Sequence, residues 1–214
     1  DAQSFVFDAT NLFDMDKFSG YDRIEGGTRA NIGVRYKGTF DNGYAVNAIA
    51  GQSYQVAGRN SFAATDLVYA GWNSGLDKKA SDYVGMVNVQ TPIGISVTES
   101  LRLKKENFQL ARLDSTVGYS SQKYNVSVTY SRIAAQPEYG ADERREQLIV
   151  TGSVKFQDYW KLYSNVNYDL RKRLINSSTF GLSYEDECTI FAIGFTETRD
   201  SSNTSGSDWA IGAR

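Results

Sequence analysis

Apolar and polar side chains alternate along this chain with a period of two residues, in one segment after another. The clearest segment begins at residue 160. Its apolar positions are Trp160, Leu162, Val166, Tyr168 and Leu170, and its polar positions are Lys161, Tyr163, Asn165, Asn167, Asp169 and Arg171. Because successive residues of a β-strand point to opposite faces, this pattern predicts a strand with one apolar and one polar face.

The same alternation predicts about twelve strands. Their ranges are 3–8, 29–40, 44–55, 82–90, 94–104, 108–121, 123–132, 147–156, 160–171, 175–185, 188–199 and 208–214. Many of these ranges exceed the usual globular strand length of about 5–6 residues. They match the roughly 9–11 residues that a tilted strand needs to cross a membrane.

Tight and long connections alternate between most of the predicted strands, although two connections on the side of the long ones, near 105 and 172, are short. The tight turns include Asp41-Asn42-Gly43, an Asn-Gly hairpin signal. The other tight turns lie at 91–94, 120–123, 157–159 and 184–187, and the long connections span 11–28, 56–81, 135–145 and 200–207. Since alternate connections of an up-and-down sheet lie at opposite ends, the tight turns share one rim. This asymmetry is typical of outer-membrane barrels, so we predict an all-β fold, an antiparallel up-and-down segment of a transmembrane β-barrel.

A large soluble β-sandwich would also alternate and would also have tight turns. Strand length, charged inner faces and aromatic residues near strand ends favour the barrel, but periodicity alone leaves both open. The aromatic residues are Tyr44, Tyr83, Tyr119, Tyr124, Tyr159, Trp160, Tyr168 and Tyr184.

The composition excludes several functional classes. With 23 basic and 25 acidic residues, the chain lacks the basic excess of a nucleic-acid-binding protein. It contains no His, so it cannot build a Ser-His-Asp triad or a His-ligated metal site by itself. We therefore expect no catalytic residue, no cofactor and no metal, and we interpret the carboxylates at 185–187 as a charged turn.

Cys188 is the single cysteine of the chain. It follows the tight turn 184–187. In the alternation of the strand that follows, it falls on the face opposite that of Phe191, so we predict that it points inward at the short-turn rim. It is either a small buried thiol or the partner of a cysteine outside this chain. The chain starts without Met and ends within an apolar alternation, and we expect it to be part of a longer protein.

One continuous run makes the sequence recognisable. Asn11-Leu12-Phe13, followed by Phe18-Ser19-Gly20-Tyr21-Asp22-Arg23-Ile24-Glu25-Gly26-Gly27-Thr28-Arg29, resembles the LptD family, the lipopolysaccharide-assembly proteins of Gram-negative outer membranes. Further similar stretches are Gly51-Gln52-Ser53-Tyr54, Ala135-Gln136-Pro137 and Tyr184-Glu185-Asp186-Glu187-Cys188. The resemblance covers nearly the whole chain.

The resemblance implies that residues 1–214 are the C-terminal part of a 26-stranded barrel in the cell outer membrane, without its N-terminal jellyroll and first strands. It implies an LptE-type lipoprotein plug, a periplasmic Lpt bridge that delivers lipopolysaccharide, and release through a seam between the first and last strands. It places Gly20, Tyr21, Asp22, Arg23, Glu25, Gly26 and Gly27 in an extracellular loop. It also implies a disulfide from Cys188 to the absent N-terminal domain.

The expected function is lipopolysaccharide translocation without chemistry. By parity, the candidates for the lumen face are Arg35, Lys37, Lys161, Asn165, Asn167 and Asp169. The alternatives are a general or substrate-specific porin, and a membrane-embedded hydrolase. Known barrel hydrolases depend on a His, which this chain lacks.

Overall fold

A computed structural model describes residues 7–18, 25–63, 74–135, 142–199 and 207–213. They contain eleven strands: β1 (Thr28–Thr39), β2 (Ala45–Ala57), β3 (Tyr83–Gln90), β4 (Ile95–Leu103), β5 (Leu110–Ser120), β6 (Tyr124–Ile133), β7 (Arg145–Lys155), β8 (Trp160–Asp169), β9 (Leu174–Glu185), β10 (Ile190–Arg199) and β11 (Ser207–Ala213). None of the described segments is a helix with the length and apolarity needed to span a bilayer.

The eleven strands form one sheet in which the spatial order is the sequence order. The registers of β1–β2 and of β7 through β11 are antiparallel. This confirms the predicted all-β, up-and-down architecture. The predicted strand 3–8 is the exception. Residues 3–6 lie outside the described part, and Phe7 and Asp8 are not in a strand. The described residues therefore contain eleven of the roughly twelve predicted strands.

Tight turns connect the strand pairs at one end, as predicted. Gly43 in the β1–β2 turn has a φ of 82°, and Gly94 in the β3–β4 turn has a φ of 86°. A side chain would strain the backbone at these positive φ values. The two glycines therefore fix where these hairpins reverse.

The apolar strand faces are exposed. On β1, Ile32 is 64% exposed and Val34 is 73% exposed, and on β10 Phe195 is 43% exposed. A β-sandwich would bury such side chains between its sheets. An outward apolar face is instead what a membrane barrel presents to lipid.

The described residues fall into two compact units. The first contains β1, β2, most of β3, the long-loop ends of β4 and β5, and the adjoining loop segments. Its core consists of Phe7, Ala9, Leu12, Phe18, Ile49, Phe62, Leu76 and Val84. Four of these residues (Phe7, Ala9, Leu12 and Phe18) belong to the segment before β1, so this core is formed largely by loops.

The second unit contains β7 to β11, nearly all of β6, and the short-turn ends of β4 and β5. Its polar face is joined by hydrogen bonds between side chains of neighbouring strands. These bonds link Thr116 to Thr129 at 2.9 Å, Asn165 to Thr151 at 2.9 Å and Thr179 to Thr196 at 3.0 Å. The polar side chains thus satisfy one another across the strands.

Candidate functional site: loops anchored on the first hairpin

Leu12 packs onto the β1–β2 hairpin at a point where both strands have a glycine. Gly33 and Gly51 are opposite each other in the register. A Cβ at Gly33 would lie 3.1 Å from Leu12 Cδ2, and a Cβ at Gly51 would lie 2.6 Å from it. The paired glycines therefore form the space that Leu12, itself fully buried, occupies.

A second contact joins two loops through aromatic rings. Phe18 stacks on Phe62 with 4.7 Å between the ring centroids. The Arg29 guanidinium lies 5.3 Å from the centre of the Phe62 ring, a cation–π geometry. Arg29 thus connects β1 to the loop that follows β2.

Glu25 and Arg29 form a buried ion pair. Arg29 Nε donates to Glu25 Oε1 at 2.6 Å, and both side chains are only 6% exposed. Glu25 Oε2 also accepts the Lys17 backbone N–H at 3.2 Å. Arg29 donates in addition to Asn60 Oδ1 at 3.0 Å. One carboxylate and one guanidinium therefore hold three chain segments together.

Lys17 extends this network to the strands. Its Nζ donates to the Asp14 carbonyl oxygen at 3.1 Å and to Asn31 Oδ1 at 3.4 Å. Ser53 Oγ donates to the same Asn31 oxygen at 2.6 Å. Burial lowers the pKa of Lys17, and the nearby Glu25 carboxylate acts in the opposite direction. We call Lys17, Glu25, Arg29, Asn31 and Ser53 the loop anchor.

Gly26 and Gly27 of the recognised run lie in close contact with the loop that follows β2. The Gly26 N–H donates to Ser61 Oγ at 2.8 Å. Gly27 has a φ of 82°, and a Cβ there would lie 2.7 Å from the Ala57 carbonyl oxygen. Of the predicted loop motif, Glu25 belongs to the loop anchor, Gly26 and Gly27 contact the end of β2 and the loop after it, and 20–23 lie outside the described residues.

Asp82 and Arg102 form a second ion pair in the first unit, with 3.5 Å between Oδ2 and Nε. Arg102 is 6% exposed and also donates to the Ser74 carbonyl oxygen. Burial raises the pKa of Asp82, and Arg102 partly offsets this effect. The pair fixes the loop before β3 to the long-loop end of β4.

Cys188 lies in the turn between β9 and β10, at the predicted rim, and its thiol is free and exposed. The predicted strand 188–199 begins only at Ile190, so the strand alternation does not define the direction of Cys188. Asp186 Oδ1 accepts the N–H groups of Cys188 at 2.9 Å and of Thr189 at 2.7 Å. These bonds prolong the turn and lower the pKa of Asp186.

The six candidates for the lumen face lie on strands, on the face opposite the exposed apolar side chains. Arg35 is opposite Ile49, and Lys37 is opposite Asn47 in the β1–β2 register. On β8 the candidates are Lys161, Asn165, Asn167 and Asp169. Asp169 has a local role, because its Oδ1 accepts two backbone N–H groups of the turn that follows, each at 2.9 Å.

Alternation did not identify Lys17, Asn60, Phe62, Ser81 or Arg102. Their contacts join loop segments that are far apart in sequence, such as the 2.8 Å bond from the Ser53 N–H to Ser81 Oγ. The one available signal was the resemblance, because its runs include Glu25, Arg29 and Ser53 of the loop anchor, and Leu12, which packs on the same hairpin. Among the described residues, no group of His, Cys, Asp or Glu is arranged to hold a metal ion.

Comparison with protein families agrees with the recognised runs. The family model LptD, described as LPS transport system D, matches residues 1–148. Among curated proteins none matched the chain. The family match spans more than half of the 214 residues and includes the loop anchor. The chain therefore belongs to the LptD family, which serves lipopolysaccharide transport and assembly.

Proposed function

We propose that this chain is the C-terminal part of the barrel wall of an outer-membrane translocon for lipopolysaccharide. The observation that carries the proposal is that a chain matching the LptD family also exposes the apolar side chains of its strands. Lipid would cover the apolar face, and the opposite face would line the lumen. The candidates Arg35, Lys37, Lys161, Asn165, Asn167 and Asp169 belong to that lumen face.

The proposed translocation requires no bond to be made or broken in the lipid. A lipoprotein plug of the LptE type would occupy the lumen, and a periplasmic Lpt bridge would deliver lipopolysaccharide through the N-terminal domain. The acyl chains would leave through a seam between the first and last strands of the whole barrel. Such a seam must pair more weakly than an ordinary strand ladder, because a closed barrel has no free edge.

In this proposal the loop anchor holds the long loops on the wall at the extracellular end. The buried Glu25–Arg29 pair and the Leu12 contact with Gly33 and Gly51 support this role. Loops fixed in this way would narrow the outer end of the lumen. The exported lipid would then leave sideways through the seam rather than through the top.

Cys188 is proposed to form a disulfide with a cysteine of the N-terminal domain. Its exposure in the β9–β10 turn supports this proposal, because an exposed thiol is accessible for disulfide exchange. Non-reducing electrophoresis of the intact protein tests it. Cys188→Ser should abolish the mobility difference between reduced and oxidised samples, and an unchanged difference would refute the bridge.

Depletion of the full-length protein tests the translocon itself. Surface lipopolysaccharide should fall while its synthesis continues, so that lipopolysaccharide accumulates on the periplasmic side. Normal surface lipopolysaccharide after depletion would refute the proposal. The porin alternative predicts ion conductance from the purified barrel without any lipoprotein, together with normal surface lipopolysaccharide.

A further inference from the structure

A groove crosses the outward, apolar face of β6 to β10 in the second unit. Its volume is about 660 Å³, within the range of about 300–1,000 Å³ that is typical of ligand pockets. Apolar atoms form nearly all of its surface, and they come from side chains such as Tyr124, Val126, Leu162, Phe180 and Phe195. The groove is therefore on the side of the sheet away from the lumen candidates.

The groove exists because two neighbouring positions on this face lack large side chains. Gly152 and Ser164 are directly opposite in the β7–β8 register, and a Cβ at Gly152 would have no atom of a neighbouring strand within 4 Å. Larger side chains lie next to this pair. Ser164 is opposite Phe180 on β9, and Val154 is opposite Leu162 one row closer to the short turns. A hollow with backbone at its floor thus opens between apolar side chains.

An aromatic row marks the edge of this face nearest to the short turns. Trp160 is directly opposite Tyr184, and Tyr184 is directly opposite Phe191. The ring centroids of Trp160 and Tyr184 are 5.1 Å apart, and the Tyr184 hydroxyl donates to Asp186 Oδ2 in the turn at 3.0 Å. Aromatic rings with an apolar body and a polar end occupy the boundary between bilayer and water. In the proposed barrel, this row therefore marks the membrane surface on the short-turn side.

The hollow lies below this surface at the depth of lipid acyl chains. Ser164 follows Trp160 on the same face of β8, about 13 Å along an extended strand. A strand tilted by about 35–45° places Ser164 roughly 10 Å below the aromatic row. One half of a hydrocarbon core of about 30 Å is about 15 Å thick. The hollow thus lies within a single leaflet, the one on the short-turn side, which in an outer membrane faces the periplasm.

The chemistry of the lining favours a hydrocarbon chain over a peptide. Among the described residues that line the groove, none is charged. A peptide segment would bring backbone N–H and C=O groups, and each of these needs a hydrogen-bond partner in an apolar environment. An acyl chain has no such group and gains dispersion contacts with the side chains around it.

We propose that the groove binds an acyl chain of a glycerophospholipid from the periplasmic leaflet. The inference rests on the proposed function, because the wall of a membrane barrel exposes this face to lipid. It adds a specific site for a resident lipid of the membrane, which is not the lipid that is transported. The chain lies over Val154 and Leu162 and ends at Gly152 and Ser164 beside the Phe180 ring. There it fills the hollow, and it is held more firmly than lipid on the rest of the wall.

Photo-crosslinking in the full-length protein with its lipoprotein partner tests the inference. The probe is phosphatidylethanolamine with a diazirine in the middle of one acyl chain, in vesicles of phosphatidylethanolamine and phosphatidylglycerol. Peptide mass spectrometry locates the adducts. The test variant, Gly152→Leu with Ser164→Leu, fills the hollow and keeps the face apolar. The matched control, Ala50→Leu, adds a similar side chain at an exposed position of β2, opposite Val34 and outside the groove.

In the wild type, the adducts should concentrate on the residues that line the groove. The test variant should lose at least about tenfold of them, which corresponds to losing the burial of about two methylene groups. Phe180→Ala, which removes one side of the groove, should also reduce them, and Ala50→Leu should leave them unchanged. Retained lipoprotein binding and heat-dependent gel mobility show that each variant is folded.

An even distribution of adducts over the apolar faces of all strands would overturn the inference, because no position would then hold lipid specifically. Unchanged labelling of the test variant would overturn it as well. Adducts that form in vesicles but not in native outer membranes would reject the lipid in favour of a protein occupant. If depletion stops lipopolysaccharide export but the groove is not labelled, only this inference fails, whereas normal surface lipopolysaccharide after depletion refutes the proposed function.

Discussion

Replacing Arg29 by Met should release the loop that contains Lys17. The variant removes the 2.6 Å ion pair with Glu25, the 3.0 Å hydrogen bond to Asn60 and the cation above Phe62. Both charged side chains are 6% exposed, so water can do little to compensate the carboxylate. Removing one partner of a buried ion pair costs about 3–5 kcal/mol.

A cost of that size is large for a local structure. Since every 1.4 kcal/mol is tenfold, the open state of the loop should become roughly 10²- to 4 × 10³-fold more populated. Hydrogen exchange of the Lys17 amide measures this population, because that N–H donates to Glu25 Oε2 at 3.2 Å. The exchange should be followed in the membrane-embedded full-length protein.

Two comparisons make the Arg29 experiment decisive. Lys78→Met removes an exposed ion pair with Glu106, whose side chains are 58% and 47% exposed, and should cost less than about 1 kcal/mol. Adding Glu25→Gln to Arg29→Met should restore part of the protection, because no uncompensated charge remains buried. Exchange at Lys17 that is no faster in Arg29→Met than in Lys78→Met would refute the anchor.

Three further predictions concern the loops and turns. Gly27→Ala should speed exchange in the same loop, because φ is 82° and the new Cβ would lie 2.7 Å from the Ala57 carbonyl oxygen. Asp186 has a lowered pKa, chiefly through the N–H of Cys188, so its contribution to the turn should be present above pH 3.8 and be lost as pH falls through the lower folded value. Asp186→Ala should remove that pH dependence from exchange of the Cys188 amide. Asp82 has a raised pKa, so its loop should lose stability as pH rises from 3.8 through the folded value, and Asp82→Asn should abolish this loss in pH-dependent proteolysis.

The strands were predictable because their signals are local. The alternation around residue 160 and the Asn42-Gly43 turn depend only on residues close in sequence, and the observed bounds of β1 and β8 differ from the predicted ones by at most two residues. The face of Cys188 was not predictable from the same rule. Asp186 accepts two N–H groups within its own turn, which delays the start of β10 to Ile190.

The loop anchor could not be predicted from alternation, because no periodic pattern connects its members. Lys17 and Asn31 are fourteen residues apart, and Ser53 is another twenty-two residues along the chain. Only the resemblance indicated that residues 25–29 and 51–54 are functionally related. The structure gives the physical reason. The buried Glu25–Arg29 pair and the buried Lys17 need hydrogen-bond partners, and these partners come from several chain segments.

The pairing of each strand with its neighbours in sequence has a consequence for how the protein folds and inserts into the membrane. The spatial order of the eleven described strands is their order in the chain. Each pair of hydrogen-bonded strands is therefore separated in sequence by a single connection. Short loops cost little entropy to close and favour rapid pairing. Each hairpin can therefore join the edge that the preceding hairpin has just exposed, and no strand has to be threaded between two others. Assembly in the membrane can thus advance in one direction along the chain.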